Sequence, residues 1–133
     1  MNLTNRGSEL SVGVRILDCD HREMSETIND ILADLLAGKE RARTGRHLSK
    51  LAAFALSHFA LEEGIMAATK YPGTALHSLR HQQMMGEIRA FVVRYNRDRL
   101  PMNGMALNFV YQWHADHIER EDMSFGLWLS EID

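Results

Sequence analysis

The chain has 133 residues, 45% of them hydrophobic, which suits one domain around one core and is too short for two. Its net charge of −3, with acidic and basic residues interspersed, offers no basic stripe for phosphates or an anionic bilayer, so neither nucleic acid nor membrane is expected as a partner. Arg6, Glu9 and Arg15 interrupt the amino terminus, and nowhere do roughly 18 apolar residues run together, so a cytoplasmic protein is expected. Cys19 is the only cysteine, which excludes an internal disulfide.

Residues 1–18 read as an N-terminal arm. Asp20, followed three residues later by Glu23, predicts a helix start with Asp20 as the cap, and a first helix over about 20–37 carries His21, Met24, Ile28, Ile31, Leu32 and Leu35 on one stripe. Gly38 is suited to the end of that helix. A second helix, about 44–69, carries Leu51, Ala55, His58, Glu62 and Ile65 at spacings of three and four, and Tyr71-Pro72-Gly73 ends it in a turn. With Thr74 as its cap, a third helix over about 74–98 bears His77, His81, Met84, Ile88, Val92 and Tyr95. Pro101 marks a break, a fourth helix over about 103–120 shows Ala106, Val110, Trp113 and His117, and a short C-terminal helix follows from Met123 to Ser130. Nothing reads as a strand. Short connections predict an all-α, up-down-up-down four-helix bundle in a single domain spanning 1–133.

His21, His58, Glu62, His77, His81, His117 and Asp122 can be read as the complete ligand set of a two-metal site. His58/Glu62 and His77/His81 stand four apart, which stacks each pair on one helix face. In the antiparallel bundle all seven lie at one end, and Glu62 and His81, each about seven residues from the connecting loop, sit at a common depth of roughly 10 Å. An isolated histidine on an apolar stripe is more often a hydrogen-bonded core residue. Burying all seven without partners, however, costs about 1–3 kcal/mol for each group left unsatisfied, and metal ions satisfy them together. If His77, His81 and His117 bind one metal, His21 and His58 the other, and Glu62 and Asp122 bridge, the metals receive five and four protein donors, and one keeps an open position. Asp122 lies five residues after His117, about 140° around a regular helix, which predicts a widened turn or a helix end there. Five neutral imidazoles and two carboxylates suit borderline divalent metals.

The chain resembles the bacterial hemerythrins in Val12-Gly13, Leu17-Asp18-Cys19-Asp20-His21, His58-Phe59, Glu62-Glu63, Met66, Tyr71-Pro72, His77, His81, Trp113, His117-Ile118 and Asp122. The resemblance fills all seven ligand positions and implies two non-heme iron ions with a solvent-derived oxo or hydroxo bridge, binding O2 reversibly for storage, delivery or scavenging. NO and peroxide are further small-molecule partners it admits. A monomer is expected. Five imidazoles favour holding O2 over cleaving it, in contrast to carboxylate-rich di-iron bundles, so a non-enzymatic protein is the leading reading. Two others stay open: a di-iron peroxidase or NO-reducing enzyme, and a sensor of O2, redox state or iron acting through a partner protein.

His114 stands where the family usually has a leucine lining the O2 pocket, and His114, Trp113, Ile118 and Phe59 are the pocket candidates. An imidazole there either donates to the bound ligand, serving as proton donor in the enzymatic reading, or fills the open metal position, or points between helices or to solvent. Asp18 and Glu63 are candidate acceptors for ligand imidazole N–H groups. His47, beside Arg46 near the start of the second helix, is expected at the surface, and Cys19 is expected to be a structural or merely exposed thiol. The methionines Met24, Met84 and Met105 are expected to fill gaps in the bundle.

Overall fold

The computed structural model describes residues 13–38, 40–97 and 104–131, and every described element is helical. In chain order these are α1 (Arg15–Leu36), α2 (Arg41–Ala68), α3 (Thr74–Asn96), α4 (Gly104–His117), a π-helical turn (Ile118–Asp122) and α5 (Met123–Glu131). Helix α1 packs on α2 and α4, and α2 packs on α3. The ring closes where the Trp113 indole N–H on α4 donates to the Met84 carbonyl on α3 at 3.0 Å.

Helix α1 starts five residues before the predicted position. Leu17 lies one turn ahead of His21 on the same stripe and is fully buried with Met66, Ile118 and Phe125, so apolar packing extends the helix through residues 15–18, expected in the arm. Asp20 then sits inside the helix and is no cap. The α1 end is as expected, with Gly38 at φ +65. Thr74 is no cap either: it is the first residue of α3, and its hydroxyl donates back to the Tyr71 carbonyl at 2.6 Å. The predicted continuation of the third helix to Asp98 and the break at Pro101 lie outside the described residues, as do the side chains of Leu35, Met105 and Ala106.

The main core joins Met24, Ile28 and Ile31 of α1, Leu48, Leu51, Ala55 and Phe59 of α2, Met84, Ile88, Phe91 and Tyr95 of α3, and Val110 and Trp113 of α4. Leu32, Val92 and Ile65 of the predicted stripes are only partly buried. Away from the histidine-rich end, buried Asp34 on α1 meets Arg43 Nε at 3.1 Å and His47 Nδ1 at 2.7 Å. His47 is therefore half-buried and paired, in contrast to the expected surface position, because a carboxylate taken from water needs partners. Helix α2 is long and apolar enough to cross a bilayer by length and composition, yet its buried face carries His58 and Glu62.

Helix α2 ends in a Schellman motif, which sets the direction of the chain into α3. The Tyr71 N–H donates to the Met66 carbonyl at 2.9 Å and the Lys70 N–H to the Ala67 carbonyl at 3.2 Å, with Lys70 itself at φ +60. A side chain with a Cβ is strained there. Lys70→Gly is expected to stabilise the protein by about 0.5–1 kcal/mol, read as a higher midpoint in denaturant unfolding with unchanged slope.

Candidate metal centre

Four helices and the π turn each deliver donors to one end of the bundle: His21 from α1, His58 and Glu62 from α2, His77 and His81 from α3, His117 from α4, and Asp122 from the turn. All seven side chains are buried. They divide into two overlapping groups, Glu62, His77, His81, His117 and Asp122 in one, and His21, His58, Glu62 and Asp122 in the other, with the donor atoms of each group within 4.8 Å of one another. Both carboxylates belong to both groups. Glu62 turns Oε1 to His77 and His81, at 2.6 and 3.2 Å, and Oε2 to His58 at 3.5 Å. Asp122 turns Oδ1 to His77 and His117, each at 2.9 Å, and Oδ2 to His21 at 3.0 Å.

Asp122 reaches this position through the π turn. On a regular helix a residue five places after His117 points about 140° away. The Met123 N–H instead bonds the Ile118 carbonyl, closing a wider loop that returns Asp122 to the His117 side.

The donors fit a pair of cations better than they fit one another. Both oxygens of Glu62, both oxygens of Asp122 and Nε2 of His77 lie in close contact yet make no hydrogen bond, so five buried polar atoms lack the partner that burial demands. The outer nitrogens carry the same message. His58 Nδ1 meets Asp20 at 2.8 Å, His81 Nδ1 meets Glu63 at 2.9 Å and His117 Nδ1 meets Glu121 at 2.7 Å. A hydrogen donated from Nδ1 to a carboxylate leaves the lone pair on Nε2, facing inward. His81 and His117 bring those Nε2 atoms to 3.0 Å, and His21 and His58 to 3.1 Å. Lone pairs at that separation repel unless a cation, or a proton, lies between them.

Apolar and aromatic groups seal the site. Phe59 stacks on His81, with centroids 4.0 Å apart and planes 6° apart, and meets His117 edge-on at 5.4 Å. Trp113 is buried in the layer below. Ile118, expected in the pocket, is buried and packs with Leu17, Met66 and Phe125. His114 is buried, its ring 6.1 Å from that of His21, and its Nε2 lies 3.2 Å from Ser25 Oγ. The ring is thus shielded from solvent and lies beside that of His21. Cys19 is exposed, with Arg22 Nη2 3.4 Å from its sulfur.

Of the two expected acceptors, Glu63 holds a ligand imidazole, while Asp18 lies half-buried in the first turn of α1. The acceptors on His58 and His117 are Asp20 and Glu121. Glu121 was detectable in the sequence from its i, i+4 spacing to His117, whereas Asp20 pairs with a residue 38 positions away and leaves no local signal. Ser25, one turn after His21, also went unnoticed.

Without metal the cluster holds protons in its place. Burial opposes a charge on His77, but Asp122 and Glu62 beside it lift its pKa to about 9, and His117 is raised well above its ordinary range against the same penalty by Asp122, Glu121 and Glu62. Burial would raise both carboxylates, yet the imidazoles hold Glu62 and Asp122 well below their ordinary values. Burial and the neighbouring imidazoles of His21 and His58 push His114 down to about 3. Raised histidines stabilise the metal-free fold below their unfolded value of 6.5, and His77 loses that contribution as pH rises through about 9. Lowered carboxylates contribute above their unfolded values of 4.5 and 3.8 and lose it as pH falls. The metal-free protein is therefore expected to melt at progressively lower temperature as pH rises from 6.5 to 9, while the stabilisation conferred by added metal grows over the same window as protons cease to compete for Nε2. Thermal melts with and without chelator read both trends.

Residues 12–129 match the hemerythrin HHE cation-binding domain. The bacteriohemerythrin of Methylococcus capsulatus is 26% identical over 128 residues, covering 96% of this chain and 97% of that protein. The bacteriohemerythrin of Pseudomonas paraeruginosa is 26% identical over 117 residues, covering 88% of this chain and 75% of that protein. A crystal structure of wild-type hemerythrin superposes with a TM-score of 0.79 at 25% identity, covering 90% of this chain and 91% of that one. The buried His/Glu/Asp cluster thus sits in a fold and a sequence that both lead to one assignment, and the chain belongs to the hemerythrin HHE cation-binding domain family.

Proposed function

We propose that the chain binds O2 reversibly at two non-heme irons joined by a solvent-derived bridge. The observation that carries this reading is the unequal division of donors: three imidazoles on one side, two on the other, and both carboxylates shared. When bound, an iron pair supplies the redox equivalents for O2 capture and recovers them on release. In this reading His77, His81 and His117 would hold one ion and His21 and His58 its neighbour, and Glu62 and Asp122, common to both groups, would serve both. Asp20, Glu63 and Glu121 fix ring orientation by accepting from Nδ1. Phe59, Trp113 and the Leu17–Met66–Phe125 layer keep bulk water out. Two donors fewer than a closed octahedral set leave room for a small ligand on the two-histidine side. The predominance of neutral imidazole favours binding over cleavage of O2. Membership of the hemerythrin family favours iron in this reading over zinc or manganese, which the donors alone would also accept.

A second reading, turnover of peroxide or nitric oxide, draws on the buried imidazole of His114 beside His21. Anaerobic loading is expected to give two irons per chain. Admitting O2 is then expected to produce a visible ligand-to-metal band that disappears when O2 is removed, with stoichiometric uptake. Zinc in place of iron, or a single metal per chain, overturns the proposal. Sustained consumption of peroxide or nitric oxide selects the second reading.

A further inference from the structure

Six of the chain's seven histidines are buried at or near the bundle core or its histidine-rich end, and five of them supply the two donor groups. His114 is the sixth, and it belongs to neither group. Its Nε2 is engaged by Ser25 Oγ at 3.2 Å, so the nitrogen that the other buried imidazoles turn to the centre is here turned to a hydroxyl. Its ring nevertheless lies against His21, the donor on the two-histidine side. Ser25 is itself buried, one helical turn beyond His21 on α1.

Between them a serine hydroxyl and a neutral imidazole carry two donor hydrogens, and their mutual bond uses one. Whichever group donates, the other keeps a hydrogen: the imidazole if Ser25 donates to Nε2, the hydroxyl if Nε2 donates to Ser25. That second hydrogen is not used in the bond between the two, so the pair is suited to a site that an acceptor ligand enters. We propose that Ser25 and His114 act as a hydrogen-bonding pair that receives the small ligand on the two-histidine side of the centre, with Ser25 as the positioning residue that holds the imidazole ring through Nε2. This rests on the di-iron reading above. The pair selects for ligands with a lone pair directed away from the metal, such as small anions and O2-derived species, and against ligands with none to offer.

Azide serves as the probe, titrated into the oxidised, iron-loaded protein and followed by its charge-transfer absorbance. His114→Leu is expected to weaken azide binding by about tenfold or more, since a hydrogen bond to a charged acceptor is lost. Ser25→Ala weakens it in the same direction but less, and Ser25→Thr restores it. Nitrogen-15 imidazole spectra of the metal-free protein are expected to show a hydrogen-bonded Nε2 in His114 whose resonance shifts in Ser25→Ala and returns in Ser25→Thr. Should His114→Leu fail to fold, the serine variants carry the test by the same two readouts. Unchanged azide affinity in variants that retain two irons overturns the pair and leaves the di-iron reading standing. Loss of iron from His114→Leu together with wild-type azide affinity in Ser25→Ala makes His114 a ligand and also overturns it. A wild-type protein that does not hold two irons overturns both.

Discussion

Two carboxylates with no exposure to solvent, Glu62 and Asp122, stand at the centre of this molecule. Anions buried so completely are tolerated only when positive charge surrounds them, and here each directs one oxygen to the three-histidine group and the other to the two-histidine group. Four helices must bring imidazoles to that point or leave the charges unpaired. The alternation of the bundle, the depth of each donor along its helix and the irregular turn after α4 all follow from this requirement.

A second tier of charge supports the first. Asp20, Glu63 and Glu121 occupy the rim, partly exposed at 22%, 30% and 25%, and each accepts from an imidazole whose other nitrogen faces inward. These acids keep water contact while reaching buried rings, which limits the cost of their partial burial. Arg80 pairs with Glu121 at 3.0 Å and steadies it from outside. Orientation of the donors is thus imposed from the surface inward, by groups that themselves pay little for burial. Two hydrophobic layers, Leu17 with Phe125 and Phe59 with Trp113, border the polar cluster.

The bundle and its ligand set were legible in the residue pattern. Spacings of three and four carry His21 with Met24 and Ile28, or His77 with His81, Met84 and Ile88, onto single faces, and a period that consistent leaves little freedom in how the helices roll. The widened turn before Asp122 was legible for a similar reason: no regular helix places residues five apart on one face. Boundaries were less legible. Asp20 and Thr74 have the composition of caps, but Leu17 and the Tyr71 turn reward a different start more strongly than a capping bond does. His47 looked exposed because its partner, Asp34, approaches from another helix.

Periodicity is local: it fixes which side chains share a helix face, and so the sequence by itself determined the helical class, the antiparallel order and the identity of the seven inward donors. Contacts between helices depend on roll and depth to within an ångström or two, and no spacing along one chain records them. The tertiary structure alone decided that Asp20 reaches His58, that Ile118 packs with Leu17, Met66 and Phe125, and that the imidazole of His114 meets Ser25 beside His21.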